Sequence, residues 1–260
     1  MTPEDAADAS YLQALREHAR WQRPCECIEE DGILMVTGPN ARAMGFRNAV
    51  ARLDATVVPA RMIARARERF GELGRGFSVI VRHGRDADIA RHLIDVGLEP
   101  VVDAPCMLVE QPIDAPVLPD GVRIERIATR EHLDDFLAVN EAAYAQLKLP
   151  AEETRLYFGR HGELLSPRVV GYIAYRDGVP GAAALNILHA EGSGVYWVGT
   201  APHAQRLGLG EACTRLATNA GFDAGARVVT LQASPFGEPL YRRLGYRTYD
   251  RLLQFRVPPT

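Results

Sequence analysis

Three features of the sequence predict a mixed α/β fold in two parts. Helical and extended apolar patterns alternate along the chain, a proline-rich break divides them near the middle, and beyond it a glycine-bearing loop joins a strand to a helix. At 260 residues the length admits two small domains or one enlarged domain. With 47% apolar and 24% charged residues the chain can bury a real core and does not have the composition of bulk disorder. A formal charge of −3 provides no broad basic surface, which argues against binding a nucleic-acid backbone. No apolar run reaches the ~18–20 residues of a membrane span, and the start Met1-Thr2-Pro3-Glu4-Asp5 is acidic where a secretory signal is basic, so a cytoplasmic location is expected. The cysteines Cys25, Cys27, Cys106 and Cys213 are too few and scattered for a disulfide framework. Cys25-x-Cys27 lacks the spacer and partner pair of a zinc site, the seven histidines are dispersed, and no metal is expected.

The elements follow in order. Residues 4–22 space Ala6, Ala9, Leu12, Leu15 and Ala19 roughly as a helix, stopped by Pro24. Gly32 to Thr37 reads as a strand, Pro59 to Leu73 as an arginine-rich surface helix and Phe77 to Val81 as a buried strand. Asp86 to Val96 is helical with Gly97 as its C′ residue, and Met107-Leu108-Val109 is extended again. The segment Gln111 to Gly121 holds three prolines and is the best linker, so the domains are expected at 1–112 and 121–260. Beyond it Val122-Arg123-Ile124 is a strand, Thr129 caps a helix over His132 to Ala145, and Val169 to Tyr175 is a strand. Asp177-Gly178 turns the chain into Gly181 to Leu188, and a second turn at Glu191 to Gly194 leads into Val195 to Val198, so three antiparallel strands are expected in succession. A helix from about Leu207 to Ala224, a strand Val228 to Gln232, a short helix Pro239 to Leu244 and a last strand Arg251 to Val257 complete the reading.

The stretch that carries chemistry is Val198-Gly199-Thr200-Ala201-Pro202-His203-Ala204-Gln205-Arg206-Leu207-Gly208-Leu209-Gly210. A strand runs into a loop with two close glycines and then a helix, so N–H groups from Arg206 to Gly210 converge at the positive end of the helix dipole. That arrangement stabilises a pyrophosphate. C-cap glycines follow a helix, whereas these open one. Neither the G-x-G-x-x-G nor the G-x-x-x-x-G-K-[ST] nucleotide pattern occurs.

Gln205-Arg206-Leu207-Gly208-Leu209-Gly210 resembles the Gln/Arg-x-x-Gly-x-Gly/Ala signature of the Gcn5-related N-acetyltransferase (GNAT) superfamily, and Tyr241-Arg242-Arg243-Leu244-Gly245-Tyr246 is similar to its Tyr-x-x-Leu/Phe-Gly-Phe/Tyr element. The resemblance covers roughly residues 121–258, whose β-β-β-α-β-α-β order is also the family's. It implies an acyl-coenzyme A transferase fold, with a mixed sheet in which two parallel strands, near 195–200 and 228–233, splay to admit the pantetheine arm, preceded by a smaller α/β domain. It further implies acetyl-CoA as cosubstrate, held by Val198, Gly199, Thr200, Gln205, Arg206, Leu207, Gly208, Leu209, Gly210, Ser234 and Tyr241. Tyr241 would protonate the departing thiolate, and a backbone N–H near Val198 or Gly199 would stabilise the oxyanion.

For the general base, Glu141, Tyr144, His189 and Glu191 are candidates. The first two lie on the helix that often lines the acceptor pocket, and the others at the end of the strand leading to the splayed edge. The activity implied is transfer of acetyl to a primary amine of a small metabolite or amino-acid-like acceptor, by a monomer or homodimer. The competing reading is a non-catalytic acyl-CoA sensor on the same fold. Residues 28–110 lack the glycine signature, yet Leu93 to Val109 echoes Leu240 to Val257, which resembles tandem GNAT proteins with a decayed first copy; an unrelated α/β accessory domain is the alternative.

Overall fold

The computed structural model describes residues 1–259. It contains two compact units, neither continuous in sequence: Met1–Ala14 with Leu108–Leu231 and Pro239–Arg247, and Leu15–Met107 with Gln232–Glu238 and the residues from Thr248 on. The division expected at the proline-rich segment is therefore not the one the contacts make. That segment is docked rather than free: Ile113 and Asn219 exchange hydrogen bonds of 2.9 and 2.8 Å, and Arg215 donates to the Asp114 carbonyl at 3.0 Å.

The unit built mainly from the N-terminal half begins with the end of α1 (Pro3–Trp21). Of the apolar stripe expected on α1, Ala6, Leu15 and Ala19 are buried and Ala9 and Leu12 half-buried, while Tyr11, Glu17, His18 and Trp21, outside the stripe, are buried as well. There follow β1 (Cys27–Glu30), β2 (Ile33–Val36), β3 (Ala49–Arg52), α2 (Pro59–Glu72), β4 (Phe77–Arg82), α3 (Ala87–Asp95) and β5 (Pro100–Val109). The C-terminal strand β11 (Arg247–Val257) lies antiparallel on β4, Leu252 opposite Arg82 and Val257 opposite Phe77, giving the order β1-β2-β3-β4-β11-β5. β1 and β3 are as short as β2 but lack its unbroken run of large apolar residues, so they carry no sequence signal. The α2 residues Met62, Ala66 and Phe70 and the α3 residues Ile89 and Leu93 bury against Val79, Val81, Phe255 and Val257. Arg52, only 4% exposed, bonds Asp86 and Asp88, and Arg82 joins it on Asp86, so each charge of this cluster has an opposite partner.

The other unit contains β6 (Val122–Arg126), α4 (Arg130–Ala145), α5 (Ala151–Tyr157), β7 (Val169–Arg176), β8 (Val179–Leu188), β9 (Gly192–Thr200), α6 (Leu209–Asp223), β10 (Val228–Gln232) and α7 (Glu238–Arg243). Its strands run β10-β9-β8-β7-β6. Thr129 caps α4 as expected, its hydroxyl accepting from the His132 N–H at 3.2 Å. Asp177 and Gly178, with φ of 51° and 82°, make a primed turn between β7 and β8. The second turn lies earlier than expected, at 189–191, because Gly192 and Gly194 are strand residues whose missing Cβ atoms make room for the Ala6 carbonyl and the Tyr196 ring. The short helix α5 was not expected at all; seven residues offer little helical periodicity.

Candidate active site

β9 opens the site at both of its edges. Toward β10 the parallel register covers only Gly192, Ser193 and Gly194, so the two strands part before the C-terminal half of β9. Toward β8 the register slips between Ala183↔Gly199 and Leu185↔Tyr196, leaving Trp197 and Val198 opposite the single residue Ala184. Trp197 sits at φ +52°, a left-handed conformation that a bulky residue adopts only in a bulge or under strain. The bulge releases the backbone of Val198 from the ladder. It persists because the Trp197 ring is packed between Tyr144 (5.0 Å), Tyr157 (5.2 Å) and Phe158 (4.6 Å). Beneath the next residue, a Cβ on Gly199 would come within 3.0 Å of the Ala143 Cβ and 3.2 Å of the Asn140 Oδ1, so α4 lies close against this part of the strand.

The loop after β9 spends the N–H groups of Ala201, Ala204 and Gln205 on the Gly181, Ala201 and Pro202 carbonyls and then turns left-handed. Arg206 (φ 61°) and Gly208 (φ 74°) are both left-handed, and Gly208 is the N-cap of α6. The helix starts at Leu209, two residues later than the sequence suggests, because these two left-handed residues interrupt any earlier start. The first capping bond runs from the Ala212 N–H to the Gly208 carbonyl at 2.9 Å. The N–H groups of Gly208, Leu209, Gly210 and Glu211 therefore have no helical acceptor, as at any helix start, and here they face an open loop. Gly210 is needed for space, since its Cβ would fall 2.5 Å from the Thr200 Oγ1; Gly208 is needed for its φ, since nothing crowds it. Leu209 is buried beneath the loop, and Gln205 is tied to the end of α4, its amide donating to the Gln146 Oε1 at 2.5 Å. Arg206 is exposed. Ser234, assigned to the cofactor by resemblance, is exposed and accepts the Gly237 N–H, opening the turn before α7.

Tyr241 is positioned by the end of α7. The Tyr246 N–H bonds the Tyr241 carbonyl (3.0 Å), the Gly245 N–H bonds the Arg242 carbonyl (3.1 Å), and Gly245 has φ 91°. This is a Schellman motif, in which the third residue from the helix end meets the residue after the glycine. The Tyr241 and Tyr246 rings accordingly stand edge to face at 6.0 Å. Tyr241 is 8% exposed, and burial pushes its hydroxyl up to about 12. Burial also raises Tyr144 and Tyr246 above the usual phenol range; Tyr144 lies close enough to Tyr241 and Tyr157 to be raised by their charge as well.

These shifts carry a sign. A phenol raised on folding contributes stability that is complete below the unfolded value of about 10 and is lost as pH climbs through the folded value. Alkaline titration should therefore leave the buried Tyr241 and Tyr246 un-ionised until the unit unfolds, with their phenolate absorbance and the loss of tertiary circular dichroism rising together. Reversible ionisation near pH 10 with the fold intact would contradict their burial.

The base candidates separate. Glu141 stands one turn before Tyr144 on α4, and both of its oxygens are held by Arg155 of α5, one bond measuring 2.9 Å. His189 and Glu191 are not brought to this place. Leu188 pairs with Ser193, so His189 lies beyond the opposite end of β9 from Val198, roughly 16 Å along at ~3.3 Å per residue. There it lines a crevice of about 430 Å³ with Gln13 and Arg168, while Glu191 pairs with Arg227 at 3.2 Å. The expectation that the turn would bring them to the splayed edge fails because that edge opens at the C-terminal end of β9. The Trp197 bulge and the Gln146 tether escaped the sequence reading altogether: a bulge has no residue signature when its left-handed position is not glycine.

Residues 118–239 match the family described as acetyltransferase (GNAT) domain. Over 153 residues the chain is 32% identical to a mycothiol acetyltransferase of Pseudarthrobacter chlorophenolicus, a stretch that covers 51% of this chain and 45% of that protein. The match thus spans less than half the length of that relative. Among solved structures, a GCN5-related N-acetyltransferase from Kribbella flavida superposes with a TM-score of 0.73 at 23% identity, covering 98% of this chain and 96% of the other. A tandem GNAT protein from the clavulanic acid biosynthesis pathway does so with a TM-score of 0.64 at 14% identity, covering 98% and 97%. At these identities the likeness is one of fold.

Proposed function

With residues 118–239 forming a GNAT acetyltransferase domain, we propose that the protein transfers the acetyl group of acetyl-CoA to a primary amine of a small, amino-acid-like acceptor by direct attack on the thioester. The observation that carries this reading is the conjunction, in one unit, of a strand β9 whose C-terminal half has parted from β10 with N–H groups at the start of α6 that have no helical acceptor. A pantetheine arm carries amides that can pair with the open strand edge. A pyrophosphate suits four convergent N–H donors at the positive end of a 15-residue helix. Acetyl-CoA supplies an already activated acyl group, so the protein's work is positioning and charge stabilisation.

The residues divide that work. Gly208 to Glu211 hold the diphosphate through backbone N–H groups, and Gln205 keeps the loop against α4. The Val198 backbone, freed by the bulge, polarises the thioester carbonyl. Tyr241 donates to the departing sulfur. Glu141 takes part in proton removal only when the acceptor's ammonium displaces Arg155 from it. The similarity to a mycothiol acetyltransferase supports a small-molecule acceptor. A cytoplasmic protein, monomeric or dimeric, suits a reaction that draws on acetyl-CoA; among the described residues no helix is long and apolar enough to cross a membrane.

The other unit fits a decayed GNAT copy. Its α3 ends in the same Schellman geometry, with the Leu98 N–H on the Leu93 carbonyl and Gly97 at φ 84°, and Leu93 stands where α7 has Tyr241. An apolar side chain there can pack but cannot donate a proton.

Calorimetric titration of the intact protein with acetyl-CoA, followed by thiol release in the presence of an amine panel, tests the reading. Saturable binding and amine-dependent release are expected. Binding without release by any amine would point to an acyl-CoA sensor, and absence of binding would overturn the reading.

A further inference from the structure

We propose that Tyr246 is a positioning residue for the reaction: its hydroxyl, locked to α6, holds the Tyr241 ring in place and joins the proton donor to the cofactor cradle through one ladder of hydroxyl groups. The inference rests on the general-acid role given to Tyr241 above.

The polarity of the ladder follows from counting protons. The Thr218 Oγ1 lies 2.8 Å from the Thr214 carbonyl and 2.7 Å from the Tyr246 hydroxyl. A hydroxyl has one proton. A carbonyl can only accept, so Thr218 donates to Thr214, and Tyr246 must donate to Thr218. One turn earlier the Thr214 hydroxyl donates to the Gly210 carbonyl at 2.8 Å. Residues 210, 214 and 218 are spaced by i, i+4 along one face of α6, so the ladder climbs from the glycine of the cradle to the tyrosine that ends the Tyr241 motif. Thr214, Thr218 and Tyr246 are all buried, where a hydroxyl without a partner would be costly.

Two further observations separate this role from simple packing. First, α7 is a six-residue helix, too short to be stable by itself, and its Arg243 meets Glu211 of α6 in an exposed contact of 3.8 Å that contributes little, whereas the Tyr246–Thr218 bond just beyond it is buried. The buried Tyr246 bond therefore ties the turn that carries Tyr241 to α6. Second, the matching turn after α3 meets the same geometric demand with Leu93 and Leu98, two apolar residues. The fold at this turn has no need of a hydroxyl, and the hydroxyl occurs in the copy that also carries Tyr241.

The test compares Tyr246→Phe, Thr218→Val and Thr218→Ser, alone and in a Tyr241→Phe background, with kcat, acetyl-CoA dissociation constant and thermal midpoint measured for each. Tyr246→Phe and Thr218→Val should each lower kcat by about tenfold or more, as a small misplacement of a reacting group does. The dissociation constant should hold, and Thr218→Ser, which keeps the oxygen, should retain full turnover. In the Tyr241→Phe background neither change should slow the reaction further, because both act through Tyr241. Undiminished kcat in both single variants, or losses that multiply in the Tyr241→Phe background, would overturn the proposal. If Tyr241→Phe itself turns over at the natural rate, the general-acid role is what fails. Should Tyr246→Phe not fold, Thr218→Val interrogates the same bond from the α6 side.

Discussion

Replacing Tyr241 with phenylalanine is expected to lower kcat by about 10²-fold or more, the usual worth of a positioned proton donor, while acetyl-CoA binds as before. Phenylalanine keeps the ring that stands edge to face on Tyr246, so the variant should fold and isolate the hydroxyl. A phenol pushed up to about 12 is a weak acid. Full transfer to an ordinary thiolate of pKa ~8.5 would be uphill by about 5 kcal/mol at ~1.4 kcal/mol per unit. Burial changes that comparison. In the same unit the Cys213 thiol, buried on α6, is itself pushed up to about 12. A thiolate leaving into a cleft from which water is excluded gains basicity in the same direction, which narrows the gap that a proposed proton transfer from Tyr241 has to cross. Turnover should then persist well into alkaline pH without ionisation of Tyr241. Steady-state rates and equilibrium titrations of the two proteins decide the matter; an unchanged kcat would remove Tyr241 from the chemistry.

Much of this site could be read from sequence because its parts are local. A glycine that must be left-handed, a helix that must start after it, and a tyrosine four residues before a C′ glycine are constraints within a few residues, and Gly208, Gly210 and the Tyr241–Tyr246 turn lie where those patterns put them. The strands β7, β8, β9 and β10 were visible for the same reason, each being long or rich in β-branched residues. What escaped is relational. Nothing in Trp197 announces a left-handed bulge, which arises from the mismatch of β9 against β8 and from three aromatic neighbours on α4, α5 and the residue after α5. Nothing in Arg251 to Val257 says that the last strand pairs with β4 rather than with the strand before it in sequence. His189 looked promising because strand ends attract attention, yet which end of β9 opens depends on where β10 stops pairing.

The cradle can be tested by a pair of variants that differ in charge alone. Gly208 has φ 74° and open space where a Cβ would stand, so asparagine and aspartate, which tolerate left-handed backbone better than other side-chain-bearing residues, should both be accommodated at a similar modest cost. Gly208→Asn keeps the N–H donors and adds no charge, and its affinity for acetyl-CoA should stay close to that of the natural protein. Gly208→Asp places a carboxylate among donors that the reading assigns to a diphosphate. At separations near 4 Å the repulsion is worth about 1–4 kcal/mol between water-like and protein-surface dielectrics, roughly fivefold to almost a thousandfold in dissociation constant at ~1.4 kcal/mol per factor of ten. Because the loop is exposed, the difference between the two variants should narrow as salt is raised, whereas a steric defect would not respond to salt. Gly210 offers no such clean pair, since any side chain there meets the Thr200 hydroxyl and moves the strand as well as the cradle. Equal weakening of asparagine and aspartate variants, insensitive to salt, would mean that the loop requires glycine for its shape and that the anion binds elsewhere.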